Sequence, residues 1–197
     1  ITHNLKLRNA ETALANFYAT GVLALGRMTG PFLWQLPPMY RFDRGRIADF
    51  LTMLPRDSTA AAKLAEGHDD RLRRGALTET DVRIRYRHAF EVRHPSYFAD
   101  EFYDLLREHD VGFVVADTAG KFPYAEAVTS RFVYVRLHGS RQLYTSDYTD
   151  EELTTWAARI ERWRGEGLDV YVYFDNDAKV HAPRDAVRLK KRLTNEE

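Results

Sequence analysis

The 197 residues suffice for one domain with a substantial core, and 44% apolar against 29% charged residues is the balance of an ordinary globular chain. Basic and acidic residues are equal at 29 each, which removes any global electrostatic case for broad nucleic-acid binding or for an anionic membrane surface, and leaves only a local basic patch open. Cysteine is absent, so disulfides, thiol nucleophiles and thiolate metal sites are excluded together, and a reducing, cytoplasmic setting is the expectation. No run approaches the roughly 20 apolar residues that cross a bilayer.

Helical spacing of Ala13, Leu14, Phe17, Tyr18, Val22 and Leu25 predicts a helix over 11–25, with Asn9 as its cap. Phe32 to Leu36 reads as a short strand stopped by Pro37-Pro38, which have no N–H to give a ladder. A helix over 43–54 follows, then a second over 58–74. The charged end of the second, His68 to Arg74, fits a solvated face with opposite charges at helical spacing better than a nucleic-acid contact.

Val82 to Arg87 alternates apolar and polar residues, as an exposed strand or an extended connector would, and Ala89 to Val92 is its buried continuation. Ser96 is placed to cap a helix over 97–109. Gly112 to Asp117 and Phe132 to Leu137 are strands. Thr149 and Glu152 make a capping box for a helix over 151–164. Asp169 to Phe174 is the last strand, and a final helix runs over 183–193.

Strands alternating with helices predict an α/β fold with a mostly parallel sheet, formed as a single domain over 1–197. In such sheets ligands gather at the carboxyl ends of the strands. Here those ends are polar. Strand side chains alternate between faces, so Arg136 and His138 share one face and Val133, Val135 and Leu137 the other. Glu91 and Arg93 share a face by the same test. A charged Arg and a His on one strand face are costly to bury unpaired, so they must meet water, a carboxylate or an anionic ligand.

The expected site therefore draws on Gln35, Glu91, Arg93, Asp117, Arg136, His138, Asn176 and Asp177. In it Glu91 or Asp117 is the general base and His138 the acid or base partner, while Arg93 and Arg136 bind an anion and Gln35 and Asn176 orient it. Pairs such as Glu91 with Arg93, or Asp117 with Arg136, equally fit plain buried ion pairs. Lys121, Arg141, Tyr144 and Tyr148 lie on polar loops and read as solvent-facing. His94, His138 and His181 stand near carboxylates, which leaves a divalent metal open, but no short-spaced ligand motif is present and no cofactor is expected.

Several motifs stand in a recognisable order: Trp34-Gln35-Leu36-Pro37-Pro38, Glu91-Val92-Arg93-His94-Pro95-Ser96, Tyr134-Val135-Arg136-Leu137-His138-Gly139, Tyr148 to Leu153, and Tyr173 to Asp177 with His181-Ala182-Pro183. Together they resemble the YecE-like family, also called domain of unknown function 72. That resemblance implies a TIM-type βα barrel of roughly 240 to 300 residues, so this chain, which opens on Ile1, is expected to lack about the first three strands and to hold strands four to eight. The family often has Asn where Asp175 stands, Gly where Val180 stands and Asn where Asp185 stands. It brings no reaction with it.

The expected function is an enzyme acting on a small polar or anionic substrate, as a hydrolase, isomerase or lyase. The alternatives are a non-catalytic metabolite-binding protein and a metal-dependent phosphoesterase or nuclease.

Overall fold

The computed structural model describes residues 1–72 and 75–194. Arg73 and Arg74, at the end of the charged run, lie outside the described residues. Among the described residues, six α-helices and five strands follow one another in the order and kind read from the sequence. They are α1 (Glu11–Ala19), β1 (Phe32–Gln35), α2 (Arg44–Met53), α3 (Ser58–Ala65), β2 (His88–Glu91), α4 (Asp100–Glu108), β3 (Gly112–Asp117), β4 (Phe132–Leu137), α5 (Asp150–Gly165), β5 (Asp169–Phe174) and α6 (His181–Thr194).

One expectation fails. The strands form a five-stranded sheet in the order β1-β2-β3-β4-β5, with β1 and β5 at its two ends. Closure of a barrel needs the last strand to pair with the first at a fixed stagger, and no such pairing exists among the described residues. The chain is an α/β fold on a five-stranded sheet, not an eight-stranded TIM-type barrel short of three strands.

Local departures have local causes. α1 ends at Ala19 rather than Leu25, because Gly21 turns left-handed at φ +110° and a 3₁₀ segment over Val22–Met28 follows. Its cap is Ala10, not Asn9. α3 stops at Ala65, so the charged run does not continue it. Residues 82–87 are a connector with one bridge, Asp57 to Arg85. Ser96 caps no α-helix: Pro95–Tyr97 is a 3₁₀ turn whose cap is His94, and α4 begins at Asp100.

The chain divides into two compact units, residues 1–90 and 91–197. In the first, Tyr18, Phe32, Trp34, Tyr86 and His88 form an aromatic core with ring centroids 4.8 to 6.1 Å apart. His88 is fully buried, and its two nitrogens are both used: Nδ1 accepts from Trp34 Nε1 at 3.1 Å, and Nε2 lies 2.8 Å from the Pro55 carbonyl. That pairing fixes a neutral tautomer, with its proton on Nε2.

In the second unit β3, β4 and β5 are parallel, with Val115, Val135 and Val172 in one register row and Ala116, Arg136 and Tyr173 in the next. The Val133-Val135-Leu137 face packs with Leu153, Trp156, Ile160 and Trp163 of α5 and Leu189 of α6. α5 starts where it does because Thr149 and Glu152 cap each other's backbone N–H groups, at 3.2 and 2.7 Å. The opposite sheet face carries Tyr134, Arg136, Tyr171 and Tyr173, so the apolar and polar sets are divided as side-chain parity requires.

Candidate functional site

Glu91 is the organising residue of the second unit's polar face. It ends β2, its side chain is wholly buried, and it binds two guanidinium groups. Arg136 Nη1 donates to its Oε2 at 2.7 Å, and Arg93 donates to Oε1 from Nε and Nη2, both at 3.0 Å. Arg136 Nη2 donates onward to Asp175 Oδ2 at 2.7 Å. Buried charge at this density is tolerable only because each carboxylate meets a cation at hydrogen-bonding distance. Burial works against the Arg136 charge, but Glu91, by charge and hydrogen bond, together with Asp175, outweighs it and raises the guanidinium pKa.

His138 completes the cluster. It has no exposed surface, Nδ1 stands 2.8 Å from Asp175 Oδ2, and Nε2 stands 3.8 Å from Glu91 Oε1. Neither nitrogen meets a partner at hydrogen-bonding geometry among the described residues. Burial pushes its pKa down; Glu91 and Asp175 pull it back and Arg136 pushes with burial, and the net shift is downward. The ring is neutral at pH 7. The Tyr144 ring meets it edge-on at 5.4 Å.

Asp117 is not brought into this cluster. Register pairs it with Leu137, so it lies on the helix-facing side, opposite Arg136 and His138. It accepts from Tyr148 Oη at 3.1 Å, while Tyr148 Oη in turn accepts the Gly139 N–H at 3.1 Å. Burial raises the Asp117 pKa against two hydrogen bonds that lower it. Tyr148 is fully buried rather than solvent-facing.

Asn176 is buried too. Its Nδ2 donates to Ser146 O and to Asp185 Oδ2, each at 2.9 Å, and thereby ties the loop after β4 to α6. Asp177 is exposed at the start of a 3₁₀ turn. Gln35 ends β1 in the first unit, half-buried. Among the described residues, no group of three or more His, Asp or Glu side chains is placed to hold a metal ion. No described helix is long and apolar enough to cross a membrane.

The residue missed from the sequence is Asp175. The signal was available. Asp175 directly follows β5 and continues the parity of Tyr171 and Tyr173, and register sets Tyr173 beside Arg136, so the test that joined Arg136 to His138 also selects Asp175.

A family profile described as "Protein of unknown function DUF72" matches residues 1–197. The chain belongs to the DUF72 family. Crystal structures of DUF72 proteins resemble it. One from Thermotoga maritima is 25% identical with a TM-score of 0.74, covering 98% of this chain and 70% of that one. Two structures of a DUF72 protein from Enterococcus faecalis are each 17% identical. Their TM-scores are 0.69 and 0.67, covering 95% and 98% of this chain and 67% and 73% of those chains. No curated protein matches it.

Proposed function

We propose that this DUF72 chain binds a small anionic molecule at the carboxyl ends of β2, β4 and β5 and carries out a proton-transfer reaction on it, by isomerisation, elimination or hydrolysis. One observation carries the reading: a fully buried imidazole lies 3.8 Å from one carboxylate and 2.8 Å from another, beside a guanidinium that bridges both. Arg136 and Arg93 are the anion's anchors. Glu91, saturated by two guanidinium groups, holds them in place rather than acting as base. His138 moves the proton, and Asp175, one-third exposed, orients it.

Thermal-shift titration with phosphate and small carboxylates tests the anchor. Arg136→Ala and His138→Ala should each fold and lose the stabilisation that the wild type gains by mass action. Folded variants with unchanged affinity overturn the reading. Turnover, once a substrate is found, should fall as pH drops through a pKa below the ordinary histidine value, because the base form is the neutral one. A binding protein without turnover is the second reading, favoured by the absence of any exposed surface on His138. Mass spectrometry that finds bound ligand and no product selects it.

A further inference from the structure

The first unit holds a cavity of about 650 Å³ between the segment before α1, the loop that leaves the carboxyl end of β1 and the start of α2. Its wall is lopsided in charge. Lys6, Arg8, Arg41 and Arg46 are set against one carboxylate, Asp43, in a chain whose charges balance overall. That carboxylate is already committed. Asp43 caps α2 by accepting the Arg46 N–H at 3.1 Å, and its Oδ2 lies 3.2 Å from Arg46 Nη2. No described residue pairs with the side chain of Lys6 or Arg8, and both are exposed. This is the local basic patch that the overall charge balance leaves open.

The backbone is strained where it presents these cations. Lys6, Leu7 and Asn9 have φ of +50°, +65° and +45°, a region that residues with a side chain rarely enter and hold only when their surroundings enforce it. Two contacts enforce it here. Leu7 is buried, which leaves Lys6 and Arg8 exposed on either side of it. The hydroxyl of buried Tyr40 donates to the Lys6 carbonyl at 3.0 Å and accepts from Arg46 Nη1 at 2.9 Å, so it fastens the segment to α2. Strain of this kind gathers at ligand clamps, and cations crowded in a cleft repel one another until an anion enters.

Charge and size together identify the anion. A carboxylate brings a single charge, a phosphate up to about two, and a phosphate chain reaches several guanidinium groups at once. The volume is that of a site for a whole small molecule, which runs roughly 300–1,000 Å³. Leu5, Met39 and Phe42 also line it, and Met39 is 86% exposed, so the ligand has an apolar body as well as charge. We propose that this cavity binds a nucleotide with two or more phosphates, its phosphate chain on Lys6, Arg8 and Arg41 and its base on Phe42 and Met39. The cavity shares no residue with the proton-transfer site, so either reading can fail without the other.

Calorimetric titration of the whole chain with ADP, AMP, pyrophosphate and adenosine tests it. ADP should bind with a Kd about tenfold below that of AMP, for the second phosphate, and about tenfold below that of pyrophosphate, for the base. Adenosine alone should give no measurable heat. Lys6→Gln with Arg8→Gln, both at exposed side chains, should keep the wild-type melting temperature and raise the ADP Kd by about tenfold or more. Arg8→Gln alone should give a smaller loss in the same direction, should the pair fail to fold. Arg136→Ala should leave ADP affinity unchanged, which separates this cavity from the anion site of the second unit. The proposal is overturned by an absence of ADP binding, by binding that the Lys6 and Arg8 variants leave intact, or by binding that Arg136→Ala abolishes. Equal affinity for ADP and AMP overturns it as well. Equal affinity for ADP and pyrophosphate removes the base and with it the nucleotide. A single-stranded RNA without terminal phosphates that binds more tightly than ADP overturns it in favour of nucleic acid.

Discussion

Arg136 meets Glu91 at 2.7 Å across 45 residues of sequence, and the carboxylate it meets has no exposed surface. Arg93 is bound to the same carboxylate and is itself only 10% exposed. Removing the charge on Glu91 therefore takes a buried counter-charge from both guanidinium groups at once, although Arg136 keeps Asp175. Glu91→Gln keeps the volume and should cost about 3–5 kcal/mol, the usual penalty for breaking a buried pair from one side. Urea unfolding measures it. A loss below 1 kcal/mol would mean that the arginines find water as readily as they found Glu91.

Histidine burial gives the stability a defined pH dependence. His88 has its folded pKa lowered from 6.5 to about 4, chiefly by burial, and His138 is shifted the same way. Between 6.5 and about 4 the unfolded chain takes up protons that the folded chain refuses. The unfolded state then binds more protons, so stability falls as pH falls through that window and is flat above it. The His88 share is about 3 kcal/mol for a shift of this size. Unfolding free energies measured at pH 7.5, 5.5 and 4.5 should decline accordingly, and His88→Gln should flatten the slope even though it weakens the fold at pH 7.5. A slope unchanged in that variant would remove His88 as the cause.

One hydroxyl and one glycine shape the start of the loop after β4. Tyr148 Oη serves both Asp117 and the Gly139 N–H, so Tyr148→Phe leaves a buried N–H without its acceptor and should cost about 1–3 kcal/mol. Gly139 sits at φ +110°, and a Cβ there would stand 2.5 Å from the Gln142 carbonyl oxygen. That neighbour is backbone and cannot swing away. Gly139→Ala should cost about 2 kcal/mol or more and broaden the amide signals of 139–148. Native-state hydrogen exchange that leaves this loop as protected as in wild type would contradict both expectations.

Much of this was legible because strand and cap signals are local. Gly112, Phe132 and Asp169 open their strands where β-branched and aromatic runs begin, and Thr149 with Glu152 announces α5 by chemistry confined to four residues. Parity separated Arg136 and His138 from their apolar neighbours for the same reason. Asp117 was misplaced because the end of a strand does not say which face its last residue takes. That depends on register with β4, a long-range fact. Closure of the sheet was equally out of reach, since it depends on pairing between strands far apart in sequence, and five strands in simple order do not close.

Asp175 offers the sharpest probe of the site, because the resemblance read from the sequence places Asn there in many relatives. Its carboxylate lies 2.7 Å from Arg136 and 2.8 Å from His138, with a third of its side chain exposed. Asp175→Asn removes a charge that raises the His138 pKa, while burial, which lowers it, is unchanged. The His138 titration, followed by NMR of the imidazole protons, should therefore move to lower pH. Global stability should change by less than about 1 kcal/mol, since a partly exposed pair is worth little and Arg136 keeps Glu91. If His138 titrates at the same pH in both proteins, Asp175 does not act on the imidazole, and its role as the orienting partner falls with that result.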